Sequence, residues 1–194
     1  MTLSQEILTA IQNAISKQSA VLHEPRFSGN ESTYIQECID STYVSSVGKF
    51  VDRFEEELSN YTGAKHVVAV VNGTAALHVS LMITGVEPGD EVLVPALSFV
   101  ATANAVRYCG AEPHFVDCDE RTLGMDPEAL RTYLKAISEQ LSGICVNRNT
   151  GCSIRAMVPV HIFGHPCDLD PLAAIARDHN LVLIEDATES LGSR

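Results

Sequence analysis

Three groups of residues in the chain carry types that chemistry needs. Asn72-Gly73-Thr74-Ala75 follows an apolar run, Val67 to Val71, and precedes another, so it reads as a glycine turn opening a helix. Unpaired N–H groups and the positive end of the helix dipole make such a turn an anion site, with Thr74 as the expected N-cap. A plain strand-to-helix connection that needs a glycine explains the same residues. Phe99 stands after Pro95-Ala-Leu-Ser98, and Glu185-Asp186 closes the last apolar run, Leu181 to Ile184. An N–H cradle, an aromatic face and a crevice carboxylate suit a flat, phosphorylated heteroaromatic ligand. Pyridoxal phosphate has this make-up: a phosphate, a ring, and a pyridine nitrogen that a carboxylate keeps protonated. A fixed pair at about 4 Å contributes up to about 4 kcal/mol at an effective dielectric of 20.

Other ligand chemistries find less support. The 12 glycines never fall two residues apart, so the G-x-G-x-x-G dinucleotide turn is absent, as is the P-loop pattern. His161, His165 and Cys167 could suggest a metal, but Gly164 and Pro166 forbid the helix that would put both histidines on one face. The six cysteines, 38, 109, 118, 145, 152 and 167, form no C-x-x-C pair and read as reduced thiols. A net charge of −12 argues against nucleic acid or an anionic membrane as partner. No apolar run reaches the ~20 residues of a membrane span, and residues 1–20 lack the pattern of a signal peptide, so a cytoplasmic location is expected.

The elements that must position these groups follow from periodicity. Residues 3–18, 31–40 and 50–58 repeat apolar side chains at helical spacing, with Gly63 as a helix-ending glycine and 22–30 as an irregular lead-in. From residue 67 strands alternate with helices. Strands are expected at 67–71 (buried on both faces), 91–94, 114–117, 156–160 and 181–184. Helices are expected at 75–84 (buried nearly all round), 99–108 capped by Ser98, 127–137 capped by Asp126, and 171–179 capped by Asp170. Residues 142–155 read as a hairpin around Asn147-Arg-Asn-Thr-Gly151. The alternation predicts an α/β fold with a mainly parallel sheet, whose ligands collect beyond the carboxyl ends of the strands.

Five segments then carry a resemblance. Asn72 to Leu77, Pro95 to Val106, Val116-Asp-Cys-Asp119, Pro159 to Asp170 and Ile184 to Ser190 occur in order. Together they resemble the DegT/DnrJ/EryC1/StrS family of sugar aminotransferases, which have the aspartate-aminotransferase fold (pyridoxal phosphate fold type I). Ser45-Ser46-x-Gly48, Phe54-Glu55 and Leu22-His-Glu-Pro25 are most similar to its perosamine-synthase and legionaminic-acid branches.

The resemblance implies roles. Gly73, Thr74 and Ala75 would hold the cofactor phosphate, the helix-dipole part being worth up to ~2 kcal/mol. Phe99 would stack on the pyridine ring and Asp186 would pair with its nitrogen. Glu189 stands where the family usually has Gln or His beside the cofactor hydroxyl. His161, Phe163 and Gly164 would line the pocket mouth, and Ser45, Ser46 and Asn30 would touch sugar or a neighbouring active site, unless they are simply polar loop residues. The implied reaction is amination of a 4-keto nucleotide sugar, with glutamate as donor, for surface polysaccharide synthesis, in a homodimer.

The match covers roughly residues 22–194, the first half of such a protein. Residues 1–63 then form a helical arm and lead-in, and 64–194 an incomplete large domain, with the small C-terminal domain absent. The lysine that bonds the cofactor would follow Asp186, whereas the lysines here are 17, 49, 65 and 135. These 194 residues alone are therefore expected to be inactive and, with unpaired sheet edges, to associate. A sugar 3-dehydratase of the same family, in which histidine replaces that lysine, and a non-catalytic half-domain are the alternatives.

Overall fold

The structure, a computed structural model, describes residues 2–15 and 25–193 and divides into two compact units, up to Ala69 and from Val70. Residues 16–18 of the first expected helix and 22–24 of the lead-in lie outside the described residues.

Among the described residues the N-terminal unit holds three helices: α1 (Leu3–Ile15), α2 (Glu31–Ser41) and α3 (Lys49–Thr62). Gly63 ends α3 at φ 75°, its N–H donating to the Ser59 carbonyl, a left-handed cap that glycine adopts without penalty. Tyr34 of α2 and Phe50 of α3 pack with ring centroids 4.9 Å apart, and Lys49 pairs with Glu37 across the same seam. The two helices and the 43–48 turn line an apolar groove of ≈1010 Å³ that includes Ile35, Ile39, Val47, Phe54 and Ser45.

The second unit contains α4 (Gly73–Ile83), β1 (Glu91–Pro95), α5 (Val100–Tyr108), β2 (Glu112–Val116), α6 (Pro127–Ile137), β3 (Ser138–Leu141), β4 (Ile144–Asn147), β5 (Ile154–Met157), α7 (Leu169–His179) and β6 (Val182–Leu183). The sheet runs β2-β1-β5-β6, every pair parallel. Alternate side chains of its central strands serve two separate cores. Val92, Val94, Ala156 and Val158 meet Leu77, Leu81, Ala105 and Val106 of α4 and α5. Leu93, Ile154 and Met157 meet Leu130, Leu134, Leu172 and Ile175 of α6 and α7. Burial on both faces is why these strands read as continuous apolar runs. Asp126 caps α6 as expected, its Oδ1 accepting from the Glu128 and Ala129 N–H groups at 2.8 and 3.0 Å.

Several local expectations fail for identifiable reasons. Residues 67–71 form no strand. Val68 and Val71 are 77% and 89% exposed, and the Ala69 N–H donates to Glu55 Oε1 at 2.7 Å rather than into a ladder. An apolar run specifies a strand only where a neighbour completes the ladder, and none does among the described residues. Helix α4 buries only Leu77 and Leu81, leaving Met82 and Ile83 exposed. The hairpin is displaced: β3 and β4 pair antiparallel about Ser142-Gly143, and the expected 144–154 pairing survives as one bridge, Val146 to Ser153. Helix α7 starts at Leu169 with Asp168 at the cap position, so Pro171 lies inside its first turn, where its missing N–H is not needed.

At the amino end of β1 Glu91, almost fully buried, accepts from Asn147 Nδ2 (2.9 Å), Thr150 Oγ1 (2.6 Å) and His114 Nδ1 (2.7 Å), while His114 Nε2 meets the Tyr133 hydroxyl at 2.9 Å. Burial alone would raise the Glu91 carboxyl. The bonds from Asn147, Thr150 and His114 together outweigh it and hold the group below its ordinary value. A carboxyl lowered in the folded state contributes stability above its unfolded value of about 4.3, and that contribution is lost as the pH falls through the folded value. Urea midpoints measured from pH 6 downward should therefore fall more steeply in the wild type than in Glu91→Gln. Leu93→Ala, at a fully buried position in the middle of the sheet, should cost about 3 kcal/mol in urea unfolding, an exposed Ile83→Ala less than about 1.

Candidate active site

The carboxyl ends of the strands gather the sequence candidates of the second unit around one carboxylate. Asp186 follows β6, and its main chain prolongs the parallel pairing beyond the strand. Its N–H donates to the Pro159 carbonyl at 3.0 Å, and its carbonyl accepts from the His161 N–H at 3.1 Å. The residue is 8% exposed. Oδ2 accepts from the Thr102 hydroxyl on α5 at 3.0 Å, and Oδ1 from the Thr188 hydroxyl and N–H at 2.7 and 3.3 Å. Among the described residues no lysine, arginine or histidine forms an ion pair with it. A buried carboxylate satisfied by neutral donors and without a counter-ion is matched to a cationic ligand group.

Phe99 occupies the cap position of α5, one turn ahead of Thr102, and its ring is 73% exposed. Ser98, expected to cap this helix, instead donates its hydroxyl to the Phe99 carbonyl at 3.1 Å and reaches Thr102 Oγ1 at 3.4 Å. The same helix thus carries an open aromatic face and the hydroxyl that fixes Asp186.

The N-terminus of α4 meets the turn after Asp186. The cap is Asn72, not Thr74: extended at φ −166°, it accepts the Ala75 N–H on Oδ1 at 2.9 Å. Ala75 is therefore committed within the helix. The N–H groups of Gly73 and Thr74 have no acceptor among the described residues and sit at the positive end of the dipole. The backbone of Gly73 is ordinary, and a methyl group there would lie 3.5 Å from Thr188 Oγ1. That contact places the two anion-relevant N–H groups beside the side chain that also holds Asp186. A phosphate at Gly73-Thr74, a ring against Phe99 and a ring nitrogen at Asp186 are thus chemically compatible with the residues present.

The remaining candidates are divided between the two units. His161 is buried rather than lining a mouth: its Nδ1 accepts the Cys167 N–H at 2.9 Å, which leaves the proton on Nε2, 3.3 Å from Glu185 Oε2. Burial pushes the Cys167 thiol up, and it donates to the Val160 carbonyl at 3.2 Å, so it is held as an unreactive thiol. Phe163 is exposed and has a left-handed backbone, φ 55° and ψ 27°, which costs a non-glycine residue roughly 1–2 kcal/mol. Its N–H donates to Glu189 Oε2 at 2.6 Å. Ser45, Ser46 and Asn30 belong to the N-terminal unit, where Asn30 Nδ2 donates to the Tyr34 hydroxyl at 3.4 Å. Among the described residues no three potential metal ligands cluster.

Sequence reasoning passed over Thr102, Thr188 and Asn72. Thr102 had a signal, a hydroxyl four residues after Ser98 in the first turn of the helix. Thr188, two residues beyond an aspartate, fits a local turn in which the acid accepts from the backbone. The cap expected of Thr74 falls to Asn72 of the same turn, asparagine being among the best helix caps.

Comparison with known proteins agrees with this geometry. The family model "DegT/DnrJ/EryC1/StrS aminotransferase family" matches residues 25–194. The GDP-perosamine synthase of Caulobacter vibrioides is 44% identical over 169 residues, 87% of this chain and 41% of that protein. The crystal structure of an aminotransferase from Psychrobacter cryohalolentis superposes with a TM-score of 0.74 at 31% identity, over 89% of this chain and 40% of that one. A GDP-4-keto-6-deoxymannose-3-dehydratase with a trapped PLP–glutamate geminal diamine gives 0.72 at 26%, over 91% and 42%. The chain spans about two fifths of the length of these relatives. With the family model matching residues 25–194 and a relative 44% identical over 87% of its length, this chain belongs to the DegT/DnrJ/EryC1/StrS aminotransferase family.

Proposed function

We propose that this chain is the cofactor-holding part of a pyridoxal-phosphate-dependent aminotransferase that converts a 4-keto nucleotide sugar to the 4-amino sugar. The observation that carries the reading is the buried, counter-ion-free Asp186, held by Thr102 and Thr188 beside the amino end of α4. When bound, pyridoxal phosphate supplies a protonated ring that draws electrons from a neighbouring carbon. The Gly73 and Thr74 N–H groups donate to the phosphate, the Phe99 ring covers one ring face and excludes water there, and Asp186 holds the proton on the pyridine nitrogen. Thr102 and Thr188 keep the carboxylate in place by donating to it. The perosamine-synthase relative, at 44% identity, supports 4-amination of a GDP-linked sugar for polysaccharide synthesis. Glutamate as donor, a homodimer and a cytoplasmic location complete the reading. A 3-dehydratase is the second reading, supported by the more distant dehydratase structure at 26% identity.

None of lysines 17, 49, 65 and 135 stands at the position the family gives its cofactor-bonding lysine, and no catalytic base is assigned among them. The protein comprising these 194 residues should accordingly give no amino-sugar product with donor and keto-sugar, while still binding cofactor non-covalently. Titration with pyridoxamine phosphate, followed by its fluorescence, should show saturable binding. Asp186→Asn should weaken it roughly ten- to hundredfold, in keeping with a charge pair partly screened by solvent. Thr102→Val should weaken it about threefold to tenfold, since it removes one hydrogen bond to the carboxylate. Pyridoxamine without its phosphate should bind at least about tenfold more weakly if α4 holds that group. Equal affinity of wild type and Asp186→Asn would remove the basis of the proposal.

A further inference from the structure

Glu189, three residues after Asp186, turns its carboxylate to the main chain of another segment. Oε2 accepts the N–H of Phe163, which sits left-handed without being glycine and is followed by Gly164 at φ 79°. The two segments are braced at neighbouring points as well. The His161 N–H donates to the Asp186 carbonyl, His161 Nε2 faces Glu185 Oε2, and a methyl group on Gly164 would lie 3.7 Å from the Glu189 carbonyl. Phe163 is thus fastened to the same turn, residues 185–189, that carries Asp186, and its ring is left 64% exposed at the carboxyl ends of the strands.

We infer that Glu189 is a positioning residue that does not touch the cofactor: it clamps the Phe163 N–H, holds that residue in its left-handed conformation, and so fixes the Phe163 ring as an aromatic wall of the site. Two features carry this. Left-handed backbone in a bulky residue persists only where its surroundings impose it, and such residues concentrate at functional sites. The N–H it presents is donated to a side-chain carboxylate oxygen 26 residues away in the chain, at 2.6 Å, so the conformation is held by a contact outside its own segment. The functional part of the inference rests on the cofactor reading above, whereas the clamp itself does not.

Amide hydrogen exchange and pyridoxamine phosphate affinity, measured together on Glu189→Ala and Glu189→Gln, test it. Removing the acceptor should speed exchange at Phe163 by about tenfold or more, leaving β1 amides unchanged, as for a local opening. Affinity should fall about threefold to tenfold in Glu189→Ala, and Glu189→Gln, which keeps an acceptor oxygen, should restore both quantities to within about threefold. In a Phe163→Gly background the left-handed backbone needs no clamp and the ring is gone, so Glu189→Ala should no longer change affinity. Unchanged Phe163 exchange in Glu189→Ala overturns the clamp. Faster exchange with unchanged affinity overturns the positioning role, and a Glu189→Gln variant as weak as Glu189→Ala in affinity points to direct charge contact and overturns it too. If the wild type binds no pyridoxamine phosphate, the cofactor reading fails by itself, and the wall role falls with it while exchange still decides the clamp.

Discussion

The constraint on which the site depends is the burial of the Asp186 carboxylate with no counter-ion among the described residues. Taking a charge out of water is costly, and here the cost is met by three neutral donors, two of them from the residue two positions on. The third, Thr102, comes from a different helix. That single hydroxyl ties α5, with Phe99 one turn earlier, to the turn after β6. Thr188 in turn lies against Gly73, so the amino end of α4 is brought to the same turn. The amino end of α4, the exposed Phe99 and the Asp186 carboxylate are thereby tied to one small network.

The sheet makes that network possible. Because β1 and β5 are buried on both faces, α4 and α5 are pressed to one side and α6 and α7 to the other. The loops at the carboxyl ends then have fixed starting points, and the chain crosses from β5 to His161 and from β6 to Asp186 in register. The polar clasp at Glu91 stands at the opposite end of β1 and ties β1, β2, α6 and the 147–150 turn together. The strand thus carries one buried acid, Glu91, at its amino end, while the other, Asp186, lies beyond the carboxyl ends of the sheet.

Much of this was legible in the sequence where the signal is local or doubly determined. The Asp126-Pro127 start of α6, the Gly63 cap and the apolar strands 91–94 and 181–184 each combine periodicity with a specific terminating residue. The segment 67–71 shows the limit of that reasoning. Five apolar residues in a row describe what a buried strand looks like, but a ladder partner decides whether one forms. The hairpin failed for a related reason: Asn147 to Gly151 has the composition of a turn, yet Ser142-Gly143 makes the tighter reversal and Asn147 and Thr150 are drawn to Glu91. At the site, positions such as Asp186 followed from motif order, whereas Thr102, Thr188 and the orientation of Glu189 depend on contacts 84, 2 and 26 residues apart in the chain, only the shortest of which a sequence displays directly.

The central claim is that Asp186 faces a cationic ring nitrogen. Nitrogen NMR of pyridoxamine phosphate labelled with ¹⁵N in its ring tests this most directly, at a pH where the free ligand has lost its ring proton. Bound to the wild-type chain, the ring nitrogen should show the shift of a protonated pyridine, and bound to Asp186→Asn that of the neutral ring. A bound wild-type resonance at the neutral position would contradict the account.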